Sequence, residues 1–139
     1  MALTLITRLR RFRSVGVGVD LVEVADVAAA LASCRAARYL ELIYTSGERR
    51  DCETLTGDFD PARLAARFAA KEATWKALGD RAMKLDWHSV EVVRSPGGEL
   101  SLRLDSRAKE VARSRGLRRF AVSVSHEPFY AAAVVVATA

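Results

Sequence analysis

The sequence contains little cysteine: Cys34 and Cys52 are the two cysteines among its 139 residues. Two cysteines cannot build a disulfide framework, and they cannot hold structural zinc on their own. We therefore expect free thiols in a reducing compartment and a cytoplasmic protein. Long apolar runs are also lacking, because the longest uncharged stretch is 12 residues, Pro128 to Ala139. A membrane-spanning helix needs about 20 apolar residues, so no membrane association is expected.

Acidic side chains are missing from residues 1–19, which contain four arginines: Arg8, Arg10, Arg11 and Arg13. These arginines carry most of the net charge of +5, so the remaining 120 residues are close to neutral. A dedicated nucleic-acid binder usually spreads Lys and Arg over one face, so no nucleic-acid partner is expected. We interpret residues 1–14 as a basic N-terminal extension and residues 15–139 as a single domain. A basic arm that recruits an acidic partner is the alternative for the extension.

Hydrophobic periodicity and turn residues predict the order of secondary structure elements. In the first half, the predicted elements are a strand over Val15–Leu21, one or two helices from Val22 to about Tyr44, and a short helix over Ser46–Cys52 after the capping-box pair Thr45 and Glu48. A long helix follows over Pro61–Leu78, between Asp60 and Gly79. The second half is predicted to contain a hairpin of His88–Arg94 and Glu99–Leu104, a helix from Asp105 to Gly116, and a strand pair of Arg119–His126 and Phe129–Ala137. Short connections between adjacent strands imply antiparallel pairing. The predicted fold class is therefore α+β, with a small, mostly antiparallel sheet packed against one long helix and shorter helices.

The long helix carries three charges beside large apolar side chains. Lys71, Glu72 and Lys76 are close to the apolar stripe that contains Phe68 and Trp75. A carboxylate flanked by amines beside apolar surface can hold a metal ion and a phosphate together. The alternative is that Glu72 and Lys76 form an exposed pair one helical turn apart.

Asp20 follows two glycines that share its face of the first predicted strand. Gly16 and Gly18 leave this face bare, so a ligand or another backbone segment can approach it closely. If Asp20 and Glu72 converge, two hard oxygen ligands make a Mg²⁺ site that relies on substrate phosphate for the rest of its shell. The alternative is that Asp20 is the N-cap of the helix that follows.

His126 ends a predicted strand and has the same parity as Phe120, Val122 and Val124. A histidine at this place is either a hydrogen-bonded residue at the strand boundary or a catalytic group. A serine hydrolase is disfavoured, because the motif Gly-x-Ser-x-Gly of the nucleophile elbow does not occur.

Three segments together resemble one known family. They are Gly16-Val17-Gly18-Val19-Asp20-Leu21-Val22-Glu23-Val24, Arg67-Phe68-Ala69-Ala70-Lys71-Glu72-Ala73-Thr74-Trp75-Lys76-Ala77 and Ser123-Val124-Ser125-His126-Glu127. In this order they resemble the holo-acyl-carrier-protein synthases, the short members of the 4′-phosphopantetheinyl transferase superfamily. The resemblance implies that family's fold and a Mg²⁺-dependent enzyme that transfers 4′-phosphopantetheine from coenzyme A to a serine of an apo acyl carrier protein. Adenosine 3′,5′-bisphosphate would be released, and the carrier would belong to fatty-acid or polyketide synthesis.

The resemblance also implies roles for individual residues. Asp20 and Glu72 match the metal ligands, and Lys76 matches the lysine near the phosphates and the attacking serine. Glu72, Lys76 and His126 are the expected catalytic residues. The expected cofactor-binding residues are Asp20, Arg67, Lys71, Glu72, Lys76, Ser125 and His126. The base that takes the serine proton stays open among Glu72, a metal-bound water and Lys76 with a lowered pKa.

The family assembles as a homotrimer with coenzyme A between neighbouring protomers. The run from Tyr130 to Val136 is more apolar than one buried face requires, which favours a strand buried on both sides or at a subunit interface. Many family members carry an arginine that meets the acidic carrier on the first helix, where this chain has Asp26. Arg35, Arg38, Arg49 and Arg50 are the candidates to replace it.

Two other functions are compatible with parts of the sequence. One is an enzyme that uses the same Mg²⁺–phosphate site on another pyrophosphate compound. The other is a basic adaptor that binds RNA or an acidic protein without catalysis, for which the N-terminal arginines are the support.

Overall fold

The computed structural model describes residues 14–139, and the N-terminal arginines lie outside the described residues. The helices are α1 (Val24–Ala32), α2 (Ala36–Ile43), α3 (Ser46–Cys52), α4 (Pro61–Leu78) and α5 (Ser106–Ser114). The strands are β1 (Val15–Glu23), β2 (Val90–Arg94), β3 (Leu100–Leu104), β4 (Arg119–His126) and β5 (Tyr130–Thr138). Two 3₁₀ turns, Asp80–Lys84 and Trp87–Ser89, join α4 to β2. The predicted α+β class is confirmed.

The strands of the described chain form two antiparallel sheets. Strands β1, β5 and β4 make a three-stranded sheet with β5 in the centre, and β2 and β3 form a hairpin. β5 pairs along almost its whole length with both neighbours, from Val15 opposite Thr138 to His126 opposite Ala131. The prediction of short antiparallel connections is therefore correct, although the five strands divide between two sheets.

Helix α4 forms where capping residues and alanines favour it. The Asp60 carboxylate accepts hydrogen bonds from the backbone N–H groups of Ala62 and Arg63, and Pro61 occupies the first turn. The helix ends at Gly79, which has a φ of 81° that favours glycine. The Arg115 guanidinium donates to the Ala77 carbonyl oxygen, 2.9 Å away, and so satisfies one acceptor in the last turn.

Helix α4 packs directly on β1 at Gly16 and Gly18, the two glycines of the face that the sequence leaves bare. A Cβ at Gly18 would lie 1.7 Å from the carbonyl oxygen of Ala73, and a Cβ at Gly16 would lie 2.3 Å from that of Ala77. The bare face of the strand thus accommodates another backbone, which was one of the two alternatives from the sequence. This close packing sets the position of the second half of α4 relative to Asp20.

The opposite face of the three-stranded sheet is apolar and exposed. Its exposed side chains are Val15, Val17, Val19 and Leu21 of β1 and Tyr130, Val134 and Val136 of β5. Val15, Val17 and Val19 are each more than half exposed. A contiguous apolar surface of this kind is typical of an interaction site.

The hairpin begins later than the sequence predicts. The expected strand His88–Arg94 begins at Val90, because Trp87–Ser89 form a 3₁₀ turn. β1 continues two residues past Leu21 to Glu23, and two separate helices follow it. The short helix α3 has the predicted reciprocal capping box of Thr45 and Glu48. No helix among residues 14–139 has both the length and the hydropathy to cross a membrane.

Candidate active site

Asp20 and Lys76 meet although 56 residues separate them. The Lys76 ammonium donates to the Asp20 carboxylate at 2.8 Å and to the Val19 carbonyl oxygen at 3.1 Å. The Asp20 side chain is largely buried, whereas the Lys76 side chain is half exposed. Asp20 is not the N-cap of α1, because Glu23 takes that position. Lys76 therefore pairs with Asp20 across elements, and the alternative, an exposed ion pair of Lys76 with Glu72, is not formed among the described residues.

Glu72 faces the same region from one turn earlier on α4. Burial raises the pKa of its carboxyl group, the nearby Asp20 charge raises it further, and Lys76 lowers it. The pKa of Lys76 is raised, mainly by its hydrogen bond to Asp20. Lys76 is therefore held as an ammonium ion, which argues against its being the general base.

Asp20 and Glu72 line an open cleft of about 570 Å³ between α4, β1 and the first two helices. Its lining also includes Glu23, Asp26, Val27, Tyr39, Ile43 and Phe68. The lining of the cleft thus combines carboxylates with apolar and aromatic side chains, which suits a ligand with both charged and apolar parts.

Arg67 and His126 lie in a second cleft, of about 410 Å³. Arg63 and Arg94 line it as well, together with the carboxylates of Asp51 and Asp60. Arg67 is 5% exposed, and its Nε atom has no hydrogen-bond partner among the described residues. A buried guanidinium with an unused donor beside further cationic groups can bind an anionic group of a ligand.

The two clefts lie on different sides of α4. Phe68, Glu72 and Lys76 follow one another at helical spacing along one face, while Arg63 and Arg67 share another. At about 100° per residue, Glu72 points about 140° away from Arg67. The expected site residues of one protomer are thus divided between two surfaces.

Lys71, which the resemblance assigned to cofactor binding, is not among the residues that line either cleft. Its side chain is fully buried, and its ammonium contacts Glu48 Oε2 at 2.8 Å, the Ile43 carbonyl oxygen at 2.7 Å and the Trp87 carbonyl oxygen at 2.9 Å. An ammonium has three donors, so all three are used inside the protein.

Ser125 is not among the lining residues of these clefts in the described chain. Successive residues of a strand point to opposite faces, so Ser125 lies on the exposed sheet face while His126 lies on the α4 side. The sequence analysis missed Tyr39, Arg63 and Arg94. The spacing of Arg63 and Arg67 could have indicated that they share a face of α4. Arg94 reaches the second cleft only because the β2–β3 hairpin folds against it, which no local sequence signal indicates.

The donor set fits a magnesium ion that also binds a substrate. No group of three or more His, Cys, Asp and Glu side chains suited to a metal occurs within residues 14–139. Asp20 and Glu72 nevertheless supply two carboxylates whose mutual repulsion contributes to the raised pKa of Glu72. Mg²⁺ commonly takes one or two protein carboxylates and completes its shell with water and substrate phosphates.

Comparison with known proteins identifies the relatives of this chain. The model of the 4′-phosphopantetheinyl transferase superfamily matches residues 16–134. A holo-[acyl-carrier-protein] synthase of Koribacter versatilis is 41% identical over 122 residues, which cover 87% of this chain and 95% of the relative. One from Chloroflexus aurantiacus is 42% identical over 134 residues, covering 88% of this chain and 96% of the relative.

Solved structures with the same fold include an acyl-carrier-protein synthase of Mycobacterium tuberculosis. It is 32% identical with a TM-score of 0.64, and the match covers 89% of this chain and 96% of that one. A structure from Chronobacterium ammoniagenes, described as a complex of the synthase with coenzyme A, is 29% identical with a TM-score of 0.73. That match covers 88% of this chain and 96% of the other.

Proposed function

Because the chain belongs to the 4′-phosphopantetheinyl transferase superfamily, we infer that it carries out the holo-acyl-carrier-protein synthase reaction. It transfers 4′-phosphopantetheine from coenzyme A to a serine hydroxyl of an apo acyl carrier protein and releases adenosine 3′,5′-bisphosphate. Residues 15–139 form the proposed transferase domain. We propose that it acts in the cytoplasm, and its free cysteines, Cys34 and Cys52, agree with a reducing compartment.

The observation that carries this function is the contact between two of the motif segments. Asp20 of the first segment and Lys76 of the second are joined at 2.8 Å, and Glu72 lines the same cleft as Asp20. Transfer at a pyrophosphate requires negative charge to be neutralised on the transferred phosphoryl group and on the leaving phosphate. Carboxylates for a divalent cation and a lysine ammonium supply the groups that this chemistry needs.

We propose that Asp20 and Glu72 hold Mg²⁺ together with the pyrophosphate of coenzyme A. A bound Mg²⁺ ion would neutralise charge on the phosphoryl oxygens. The chain's own contribution is to direct both carboxylates into one cleft and to keep the Lys76 ammonium beside them.

Glu72 is the proposed acceptor of the serine proton, directly or through a water molecule. Its carboxylate lines the same cleft as Asp20, where the pyrophosphate would bind. Lys76 stays protonated and stabilises the charge that develops on the leaving phosphate. The serine oxygen then forms a bond to the phosphorus of the phosphopantetheine group as the bond to the leaving phosphate breaks.

The proposed active assembly is a homotrimer in which the exposed sheet face of each copy packs against its neighbours. Val17, Val19 and Val134 are part of an apolar surface that nothing in the described chain covers. Burial of such a surface stabilises an assembly by about 25 cal/mol per Å².

The two clefts support a site that neighbouring copies share. The Glu72 cleft of one protomer would join the basic cleft of the next, so that coenzyme A contacts Glu72 and Lys76 of one copy and Arg67 and His126 of another. Mixing two inactive variants, Glu72→Gln and Arg67→Ala, tests this arrangement. Co-refolded mixed trimers should regain activity, because some interfaces then contain both native residues. Activity no higher than that of the separate variants would contradict the shared site.

The intact mass of an apo acyl carrier protein tests the reaction itself. Incubation with the protein, coenzyme A and Mg²⁺ should add one phosphopantetheine group to the carrier. A sample with a chelator and a sample of Glu72→Ala should show no addition. No mass gain with carriers of fatty-acid or polyketide synthesis, and no binding of coenzyme A, would reject the function.

A further inference from the structure

A fully buried ion pair includes Lys71, the residue next to Glu72 on α4. The side chains of Lys71 and Glu48 are both 0% exposed, and the ammonium is 2.8 Å from the carboxylate. Glu48 Oε2 also accepts from the backbone N–H of Thr45 at 2.9 Å, and Oε1 accepts from that of Val92 at 2.7 Å. Both charged groups are thus fully hydrogen-bonded, as a buried pair must be if it is to persist in the native state.

The pair connects four elements to one point on α4. Lys71 binds the carbonyl oxygens of Ile43 at the end of α2 and of Trp87 in the second 3₁₀ turn. Glu48 belongs to α3 and binds the backbone of β2 through Val92. The point of attachment is the residue immediately before Glu72.

Two of these connections reach the wall of the cleft. Ile43 lines the same cleft as Glu72. The Trp87 ring stacks on Phe68 with 5.1 Å between ring centroids, and Phe68 also lines that cleft. Phe68 shares α4 with Glu72, whereas Ile43 belongs to α2, so a movement of Lys71 would shift Glu72 relative to the α2 side of the cleft.

We propose that Lys71 and Glu48 are positioning residues that set the place of Glu72 against the cleft wall, and that neither contacts coenzyme A. This inference rests on the proposed transferase reaction. A buried ion pair gives little net stability compared with apolar side chains at the same positions. The directional contacts of the pair can nevertheless select one geometry. Catalysis is sensitive to small displacements of a reacting group, so the pair acts on turnover through Glu72.

The test compares Lys71→Met and Glu48→Gln with a matched control, Thr74→Val. Thr74 is also fully buried on α4, and its hydroxyl donates to the Ala70 carbonyl oxygen within the same helix. The control therefore removes a buried hydrogen bond from α4 without touching the ion pair. Circular dichroism first identifies a temperature at which every variant is folded. At that temperature, kcat and KM for both substrates are measured, and the affinity for coenzyme A is measured in the presence of a chelator.

The expected result is a fall in kcat of about tenfold or more for both pair variants, with coenzyme A affinity within about twofold of the native value. Thr74→Val should keep the native kcat. If Lys71→Met does not fold, Glu48→Gln decides the question, because it leaves the two carbonyl contacts of Lys71 in place.

Three results would overturn the proposal. A large loss of coenzyme A affinity with native kcat would make Lys71 a cofactor ligand. Native kinetics of the folded variants would make the pair purely structural, and an equal loss of kcat in Thr74→Val would mean that any weakening of α4 lowers turnover. Absence of transfer by the native protein would instead reject the transferase function itself, so the two failures are distinguishable.

Discussion

Glu72 is the proposed proton acceptor, and its ionised carboxylate also lowers the stability of the folded protein. Its pKa is raised by burial and by the neighbouring Asp20 charge. In the pH range between its ordinary and its raised pKa, the folded protein binds more protons at Glu72 than the unfolded chain does. Stability therefore falls as the pH rises through this range, and at neutral pH the ionised carboxylate is held at a cost in free energy.

Replacing Glu72 by Gln should separate activity from stability. We expect kcat to fall by about 10² or more, because the proposed proton acceptor is lost. In the absence of Mg²⁺, the midpoint of thermal unfolding at pH 7.5 should shift upward, because the destabilising charge is gone, and the shift should disappear at a pH below the ordinary carboxyl range. Melting curves across pH and the intact-mass assay measure both effects. Full turnover with retained Mg²⁺ dependence would exclude Glu72 as the base.

The contact between α4 and β1 determines where the proposed catalytic groups lie. Gly18 brings the strand against the Ala73 carbonyl oxygen, and in this arrangement Lys76 reaches both Val19 and Asp20. A side chain at this point would push the helix away from the strand and separate Glu72 from Asp20.

Gly18→Ala should therefore be strongly destabilising and nearly inactive. The added Cβ would lie 1.7 Å from a backbone oxygen, and overpacking of a rigid contact costs about 3 kcal/mol. Gly97→Ala is the control, since its Cβ would meet only the Ser95 hydroxyl at 3.8 Å. Urea unfolding of both variants measures the difference, and similar stabilities would show that α4 can shift without loss.

The elements that local signals specify were predictable from the sequence. Asp60, Pro61 and Gly79 mark the ends of α4, and these ends are those of the structure. The predicted start of the hairpin was wrong because His88 fits the alternation of polar and apolar residues that is typical of a strand. In the structure Trp87 belongs to a 3₁₀ turn, and its carbonyl oxygen accepts a hydrogen bond from Lys71, a residue distant in the sequence. The ion pair of Lys71 was missed for the same reason, because its partner Glu48 comes from another helix.

The meeting of Asp20 with α4 could be expected only through the resemblance. The alternation of small and apolar residues along β1 predicts two faces, but it does not indicate which of them packs against the core. The structure packs the glycine face inward and leaves the valine face exposed, because backbone-to-backbone packing requires the absence of side chains. The division of the site between two clefts likewise follows from tertiary packing.

At the scale of the whole molecule, charge around the first cleft bears on the choice of carrier. The cleft wall carries Glu23 and Asp26, both exposed, which disfavour an acidic partner. Arg35 and Arg38 are exposed at the beginning of α2, the helix that contributes Tyr39 to the same cleft. These arginines are therefore the proposed contacts for an acidic carrier protein.

Reversing both charges, Arg35→Glu with Arg38→Glu, should raise KM for the carrier about tenfold at low salt. KM for coenzyme A should stay unchanged, and the effect should shrink as salt screens the interaction. Lys109→Glu with Arg113→Glu, an equal reversal of two exposed charges on α5, is the control and should leave both constants at their native values. Equal effects of the two reversals would indicate a general dependence on net charge.

The exposed sheet face gives the last prediction, which concerns assembly. Val17 is 57% exposed on this face, so Val17→Glu places a charge at the proposed interface without disturbing the protomer core. We expect the native protein to be trimeric and the variant to be monomeric by light scattering at micromolar concentration. The variant should lose transferase activity and keep its helical content, because each proposed site needs two copies. Leu55→Glu changes a fully exposed leucine in a loop and should keep both the trimer and the activity. A native monomer with full activity would show that one protomer contains the complete site.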